Sequence, residues 1–307
     1  MTQSFSFPDR SELATRLPHA EIAARYRAMW GEAVGLDEAF QHADLEGALT
    51  DAVLATTPET RAAAFAEAYS RLYAELPWMN RSEATHNALD LNAWSMLIGR
   101  NKKILEIGSG RGQLIRHLAS QGNLCHATEI TTERGEKFVE SEAGVQWLAT
   151  DGVNLSRFAQ ESFYDVVISD QVFEHLHPDD HVTHLAEARK LLKDGGRYIL
   201  RAPHRATGPH DISAIFGFDK AVFLHLCEPD YELMERVTRA AGFRTTRAVV
   251  AKQRLGVAIA SRMLMHYQIW LDRMERRLAL PAKARRRWRH LTKMLLVGQH
   301  VWIVADK

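Results

Sequence analysis

The period of the apolar positions changes twice along the chain. Residues 1 to about 98 follow a helical period in Ala, Leu, Glu and Arg, broken at Pro8, Pro18, Gly31, Gly35, Pro58 and Pro77. That spacing predicts helices at about 19–30, 37–54, 58–75 and 82–98, and no strand. From 102 to 250, short β-type runs alternate with helical runs. The alternation predicts a parallel sheet with crossover helices. The strands expected are Lys103–Ile107, Leu124–Glu129, Val145–Ala149, Tyr164–Ser169, Arg197–Arg201 and Phe243–Val250.

The helices between them have readable ends. Gln113–Ser120 stops at Gly122. Thr132–Ser141 has a Thr cap and stops at Gly144. Asp179–Leu192 follows Pro178, has two acids in its first turn, and stops at Gly195-Gly196. Pro229–Ala241 opens on Pro and ends before Gly242. Residues 251–307 hold a basic helical stretch and a final strand, His300–Ala305. The expected organisation is a helical cap region over 1–98 and an α/β ligand-binding domain over 99–307, the latter with a helical insertion at 255–295.

Composition narrows the class. The 307 residues are 46% hydrophobic and 25% charged, which excludes a largely disordered or fibrous chain. Cys125 and Cys227 are the only cysteines, so a disulfide scaffold and a Cys-rich zinc module are excluded, and a reducing compartment suits the chain. The N-terminus MTQSFSFPDRSEL lacks a basic n-region, and no run of 18 apolar residues occurs. Neither a secretory signal nor a transmembrane helix is expected, and the default location is cytoplasmic.

The strongest chemical signal is Ile104-Leu105-Glu106-Ile107-Gly108-Ser109-Gly110-Arg111-Gly112, which runs from an apolar strand into a helix. Such glycines let the chain turn tightly and let a ligand approach bare backbone at a helix N-terminus. A dinucleotide fingerprint needs glycine at 108, 110 and 113, and position 113 is Gln. An NAD-dependent oxidoreductase is therefore a distant reading. The carboxylate of Glu106, two residues before the first glycine, suits a cationic ligand group such as an ammonium better than a pyrophosphate. Glu129 ends the second strand, where an acid reaches ribose hydroxyls. Asp151 follows the third strand, and is either an adenine partner or a turn residue before Gly152.

These segments, together with FYDVVISDQVFEHL and ARKLLKDGGRYIL, resemble the class I S-adenosylmethionine-dependent methyltransferases, and more narrowly their small-molecule, type 11-like branch. The resemblance covers about residues 102–250. It implies a Rossmann-like, doubly wound seven-stranded sheet whose last strand, His300–Ala305, returns antiparallel. It implies S-adenosyl-L-methionine as cofactor. Glu106 and the loop Gly108, Ser109, Gly110 and Gly112 would hold the methionine part. Glu129 with Ile130 would take the ribose, and Asp151 with Gly152 the adenine. Asp170 and Gln171 would lie under the sulfonium and the substrate, and His175 would frame the cofactor.

An oxygen acceptor benefits from a base near neutral pKa, which histidine supplies without tuning. His204, after the fifth strand, and His210, beside Asp211 in the following loop, are the catalytic candidates together with Asp170. His175, His177, His181 and His184 are dense, but Pro178 breaks their register and no zinc-protease pattern is present, so no metal is expected. The catechol-type Asp-Asn pair is absent from Arg201-Ala202-Pro203-His204. The Asn/Asp-Pro-Pro-Tyr turn of base amino-methylating enzymes is replaced by Ser169-Asp170-Gln171-Val172, and neither cysteine is placed for base C5 chemistry.

The expected function is O-methylation of a small polar metabolite or sugar hydroxyl. An N-methyltransferase, an RNA or protein methyltransferase, and a non-catalytic cofactor-binding partner are the alternatives.

The attachments set expectations of their own. Trp78, His86 and Trp94 either close over the ligand or pack in the core. Met263, Leu264, Tyr267, Trp270, Leu271, Met274 and Leu278 form an apolar stripe that would face a core or a partner.

The net charge of +1 conceals a split. Residues 1–98 carry 14 acids and seven bases, whereas 262–293 carry ten bases and two acids. The stretch 283–289 could meet RNA, anionic lipid or a phosphorylated substrate. It could equally pair with the acidic helices, in this chain or in a second copy forming a homodimer.

Overall fold

The computed structural model describes residues 10–81, 86–130, 144–252, 257–278, 280–281, 283–285, 287–288 and 299–307. The expected helix 132–141 lies outside them. Five helices come first: α1 (Arg10–Arg16), α2 (His19–Trp30), α3 (Leu36–Leu54), α4 (Pro58–Glu75) and α5 (Ala88–Ile98). Pro58 opens α4 at its first position, where its missing N–H costs nothing, and Asn87 caps α5 by accepting from Asp90 N.

The α/β part follows as β1 (Lys103–Ile107), α6 (Gln113–Ser120), β2 (Leu124–Glu129), β3 (Val145–Ala149), β4 (Tyr164–Asp170), α7 (His181–Leu191), β5 (Leu192–Pro203), α8 (Tyr231–Ala240), β6 (Thr245–Lys252), β7 (Val257–Ser261), α9 (Arg262–Leu278) and β8 (His300–Asp306). The sheet runs β3-β2-β1-β4-β5-β8-β6-β7. Strands β1 to β5 pair parallel with one another, and β8 lies antiparallel between β5 and β6. The order reverses between β1 and β4, so both strands open onto a crevice at their carboxyl ends, where open α/β sheets bind ligands.

The fold departs from expectation in three places. It has eight strands rather than seven, because residues 257–261 pair antiparallel with β6 instead of joining a wholly helical insertion. Strand β5 begins at Leu192, and its register on β4 shifts between Tyr164 and Val166; the Gly195-Gly196 pair is thus absorbed into a bulge rather than ending a helix. Helix α7 begins at His181, after a 3₁₀ turn over Pro178–Asp180.

Three layers enclose the core. Helices α7, α8 and α9 cover one face through Leu185, Leu191, Met234, Val237, Met265 and Ile269. Helices α5 and α6 cover the other through Trp94, Leu97, Leu114, Ile115 and Leu118. Helices α2 and α3 pack on the segment after β5, where Ile22, Tyr26 and Phe40 meet Ile212, Phe216 and Phe223. Helix α4 completes this cap through Phe65 and Leu72, which share a cluster with Leu224. The cap therefore roofs the carboxyl edge by holding the loop that leaves β5.

The apolar stripe expected on α9 is only partly its buried face. Leu271 is buried and Leu264 packs on the core, but Met263, Trp270 and Leu278 are exposed, and the rest of the buried face is Met265, Gln268, Ile269, Asp272 and Glu275. Three of the four arginines of α9 are also matched locally: Arg262 pairs with Glu235, Arg273 with Glu232, and Arg276 with Asp230 and Glu232, all on or capping α8.

Candidate functional site

A cavity of about 1460 Å³ lies between the carboxyl edge of the sheet and the cap. It exceeds the roughly 300–1,000 Å³ of a single small-ligand pocket, so it has room for two molecules side by side.

Its floor is the turn after β1. Ser109 N donates to Thr128 O at 2.8 Å, and Thr128 Oγ1 donates to Glu106 O at 3.1 Å, fastening the loop to β2. Gly110 sits at φ +55°, and a Cβ built there would meet nothing within 4 Å. The protein itself does not need that space, which is the condition for a ligand to lie against bare backbone. Gly108 differs: its Cβ would stand 2.5 Å from Val172 Cγ2, so this glycine lets the loop pack on the turn after β4.

Glu106 is 3% exposed, lines the cavity, and its Oε2 has no hydrogen-bond partner. Burial, with Asp170 and Glu129 nearby, pushes its carboxyl well above the usual range. A buried acceptor in this condition lacks a donor or a cation.

Glu129 accepts from Gly110 N, which draws the end of β2 against the glycine turn. Asp151 accepts from Val153 N and Asn154 N through Oδ1, at 2.8 and 2.7 Å, and from Asn154 Nδ2 through Oδ2 at 2.7 Å. The turn-residue role thus holds, and Oδ2 keeps further acceptor capacity. Ile130, Gly152, Asp170, Gln171 and His175 also line the cavity. Gln171 stands at φ +59°, where its N–H donates to Arg201 O.

Asp170 is fixed by groups the sequence reading did not assign. Arg201 donates Nε to Asp170 Oδ1 at 2.7 Å and Nη2 to Oδ2 at 2.6 Å, and also grips Asp90 at 2.6 and 3.0 Å. The guanidinium carbon lies 5.4 and 5.1 Å from the ring centroids of Trp94 and Trp302. His86 Nε2 approaches Asp170 Oδ2 at 2.7 Å. Burial raises the Asp170 carboxyl, but Arg201 and His86 outweigh it and hold it at about 2. The available signal was an arginine at the carboxyl end of the strand, directly after the apolar run Tyr198-Ile199-Leu200.

Of the three aromatics before β1, His86 reaches the cavity, Trp94 is wholly buried in the sheet core, and Trp78 donates Nε1 to Tyr26 OH at 2.7 Å.

The histidine candidates separate. His204 is not in the cavity. It is fully buried, with Nε2 3.1 Å from Asp272 Oδ1 on α9 and Nδ1 accepting from Ala206 N. Strand alternation turns it away from the crevice and into the packing of α9 on the sheet, so the expectation that it faces substrate is corrected. His210 does line the cavity, with Nε2 2.9 Å from Thr207 Oγ1. Burial keeps its pKa below the ordinary value. Thr207 Oγ1 also lies 3.0 and 2.9 Å from the carbonyls of His204 and Gln299. With its single proton given to either carbonyl, its oxygen is left to accept from His210 Nε2–H, the tautomer in which Nδ1 is the basic atom.

His177, His181 and His184 do not converge. His181 stacks on Phe173 with ring centroids 4.1 Å apart, and His184 bonds to Gly152 O and Tyr198 OH.

Residues 105–200 match the family model described as a methyltransferase domain. No curated protein matches the sequence. Among solved structures, the chain is similar to the 1,6-didemethyltoxoflavin-N1-methyltransferase of Burkholderia thailandensis, with 16% identity and a TM-score of 0.50 over 82% of this chain and 91% of that one. It is also similar to a putative O-methyltransferase of Nostoc punctiforme, with 14% identity and a TM-score of 0.47 over 88% and 71% of the two chains.

Proposed function

We propose that this chain is a class I S-adenosylmethionine-dependent methyltransferase, on the match of residues 105–200 to a methyltransferase domain, and that its acceptor is a hydroxyl oxygen on a small polar metabolite or sugar, with His210 as the base. The observation that carries the cofactor site is the orphaned Oε2 of Glu106 beside the open backbone of Gly110. An α-ammonium supplies the missing cationic donors at that carboxylate. The residues present therefore fit S-adenosylmethionine, whose sulfonium methyl, when bound, is already activated for in-line displacement.

In this reading the chain's own groups bind, orient and exclude water. Glu106 and the loop Gly108–Gly112 hold the amino-acid end. Glu129 with Ile130, and Asp151 with Gly152, hold the ribose and the adenine. Asp170, locked by Arg201 and His86, forms a rigid wall between that half of the cavity and the acceptor half. The cap over the carboxyl edge limits water, through side chains such as Phe65, Tyr69 and Met79. His210, kept neutral by burial, takes the acceptor proton on Nδ1.

The oxygen reading rests on that neutral imidazole at the cavity wall. Labelled methyl transfer over a panel of hydroxylated metabolites and matched amines tests it. Transfer to hydroxyl acceptors, lost in His210→Ala with cofactor affinity retained, is expected. Turnover on amines alone would replace this acceptor assignment, and cofactor binding without turnover on any acceptor would favour a binding protein.

A further inference from the structure

One buried carboxyl outside this mechanism stands without a hydrogen-bond partner. Glu174 is 1% exposed, and neither carboxylate oxygen has a hydrogen-bond partner. A buried carboxyl in that state stays neutral unless a cation meets it. Two histidines converge on it. His175 is its chain neighbour, and His225 comes from a loop fifty residues further on. One potential ligand atom from each of the three residues lies within 4.8 Å of the other two. In a tetrahedral shell, ligands at about 2.0–2.2 Å from an ion stand about 3.3–3.6 Å apart, so a closure of at most about 1.5 Å brings the three atoms into a coordination shell.

We propose that Glu174, His175 and His225 bind one divalent first-row transition-metal ion, of the zinc and iron(II) class, at the wall of the cavity.

The supports behind the two imidazoles are those that ligating histidines use. His175 Nδ1 lies 3.0 Å from Leu224 O, and His225 Nδ1 lies 3.0 Å from Glu228 Oε1. Glu228 is in turn fixed by His210 N at 2.6 Å. A carbonyl or carboxylate on Nδ1 puts the ring proton there, which makes Nε2 the donor atom and sets the ring direction. Two imidazole nitrogens and one carboxylate oxygen suit zinc, iron or nickel rather than calcium or magnesium. A direct hydrogen bond between Glu174 and His225 would be the simpler way to settle the charge, but the carboxylate accepts none.

His175 and His225 both line the cavity, so three protein ligands leave positions open on that side. Resting on the methyltransferase reading, such a position would take the acceptor oxygen and ease loss of its proton.

The test uses the full chain, stripped with a chelator and titrated with Zn²⁺ alone, so its outcome does not depend on cofactor or acceptor. One tight equivalent is expected by calorimetry. Glu174→Gln and His225→Ala should each weaken it at least tenfold, while His117→Ala, outside the cluster, leaves it unchanged. Absence of a one-equivalent site in the wild type, or unaltered affinity in both cluster variants, overturns the proposal. Should a variant fail to fold, the wild type still decides by diethylpyrocarbonate labelling. Zn²⁺ must protect His175 and His225, and equal labelling with and without the ion overturns the site.

Discussion

Arg201 holds Asp170 by two parallel hydrogen bonds, Nε to Oδ1 at 2.7 Å and Nη2 to Oδ2 at 2.6 Å, while its other edge binds Asp90. One guanidinium thereby ties β5 to β4 and to α5 beneath the cavity. Arg201→Lys keeps the charge but cannot span both carboxylates, because an ammonium lacks the planar fork. Breaking such a buried pair costs about 3–5 kcal/mol. A clear fall in thermal midpoint is expected by calorimetry, together with weaker cofactor binding; an unchanged midpoint would remove the locking role.

The same pair sets an acid limit. The folded pKa of Asp170, about 2, lies below its unfolded value of about 3.9. Its stabilisation is thus present above pH 4 and is lost as pH falls towards 2. Asp170→Asn should flatten this part of the stability–pH curve, measured by denaturant titration between pH 5 and 2.

Glu106 titrates in the opposite sense, since burial raises its carboxyl well above the usual range. Bringing an ammonium to it lowers that pKa, so cofactor binding releases a proton. Calorimetry in buffers of different ionisation enthalpy should show this release in the wild type and its loss in Glu106→Gln. The variant loses a charge-assisted hydrogen bond worth about 1.5–3 kcal/mol, a ten- to hundredfold weakening.

Gly110→Val separates a ligand cradle from a mere turn. The new Cβ meets no protein atom within 4 Å, although φ +55° strains the residue by about 1–3 kcal/mol. The variant should fold, by circular dichroism, and bind no cofactor. Retained binding would mean that the loop only turns the chain.

His204 and His210 should part company. His204→Ala strips a fully buried partner from Asp272 and should cost about 1–3 kcal/mol of stability. His210→Ala should leave the thermal midpoint nearly unchanged and lower kcat at constant cofactor affinity.

Local rules account for most of what could be read in advance. Strands β1, β2 and β3 and helix α6 have the predicted boundaries, because alternation of apolar runs and glycine stops act within a few residues. Glu106, Glu129 and the glycine turn were legible for the same reason, since each sits at a fixed offset from a strand end. Strand β7 was not legible: Val257–Ser261 is short, and only the free edge of β6 selects it as a strand.

Sequence alone therefore determined the α/β class, the order of most elements and the cavity-facing turn, all products of short-range backbone and burial preferences. Tertiary structure decided which charges meet. It brought Arg201 between Asp90 and Asp170, turned His204 into the core against Asp272, and carried His225 across fifty residues to Glu174. Those pairings depend on where separate segments cross in space, and no residue spacing along the chain encodes that distance.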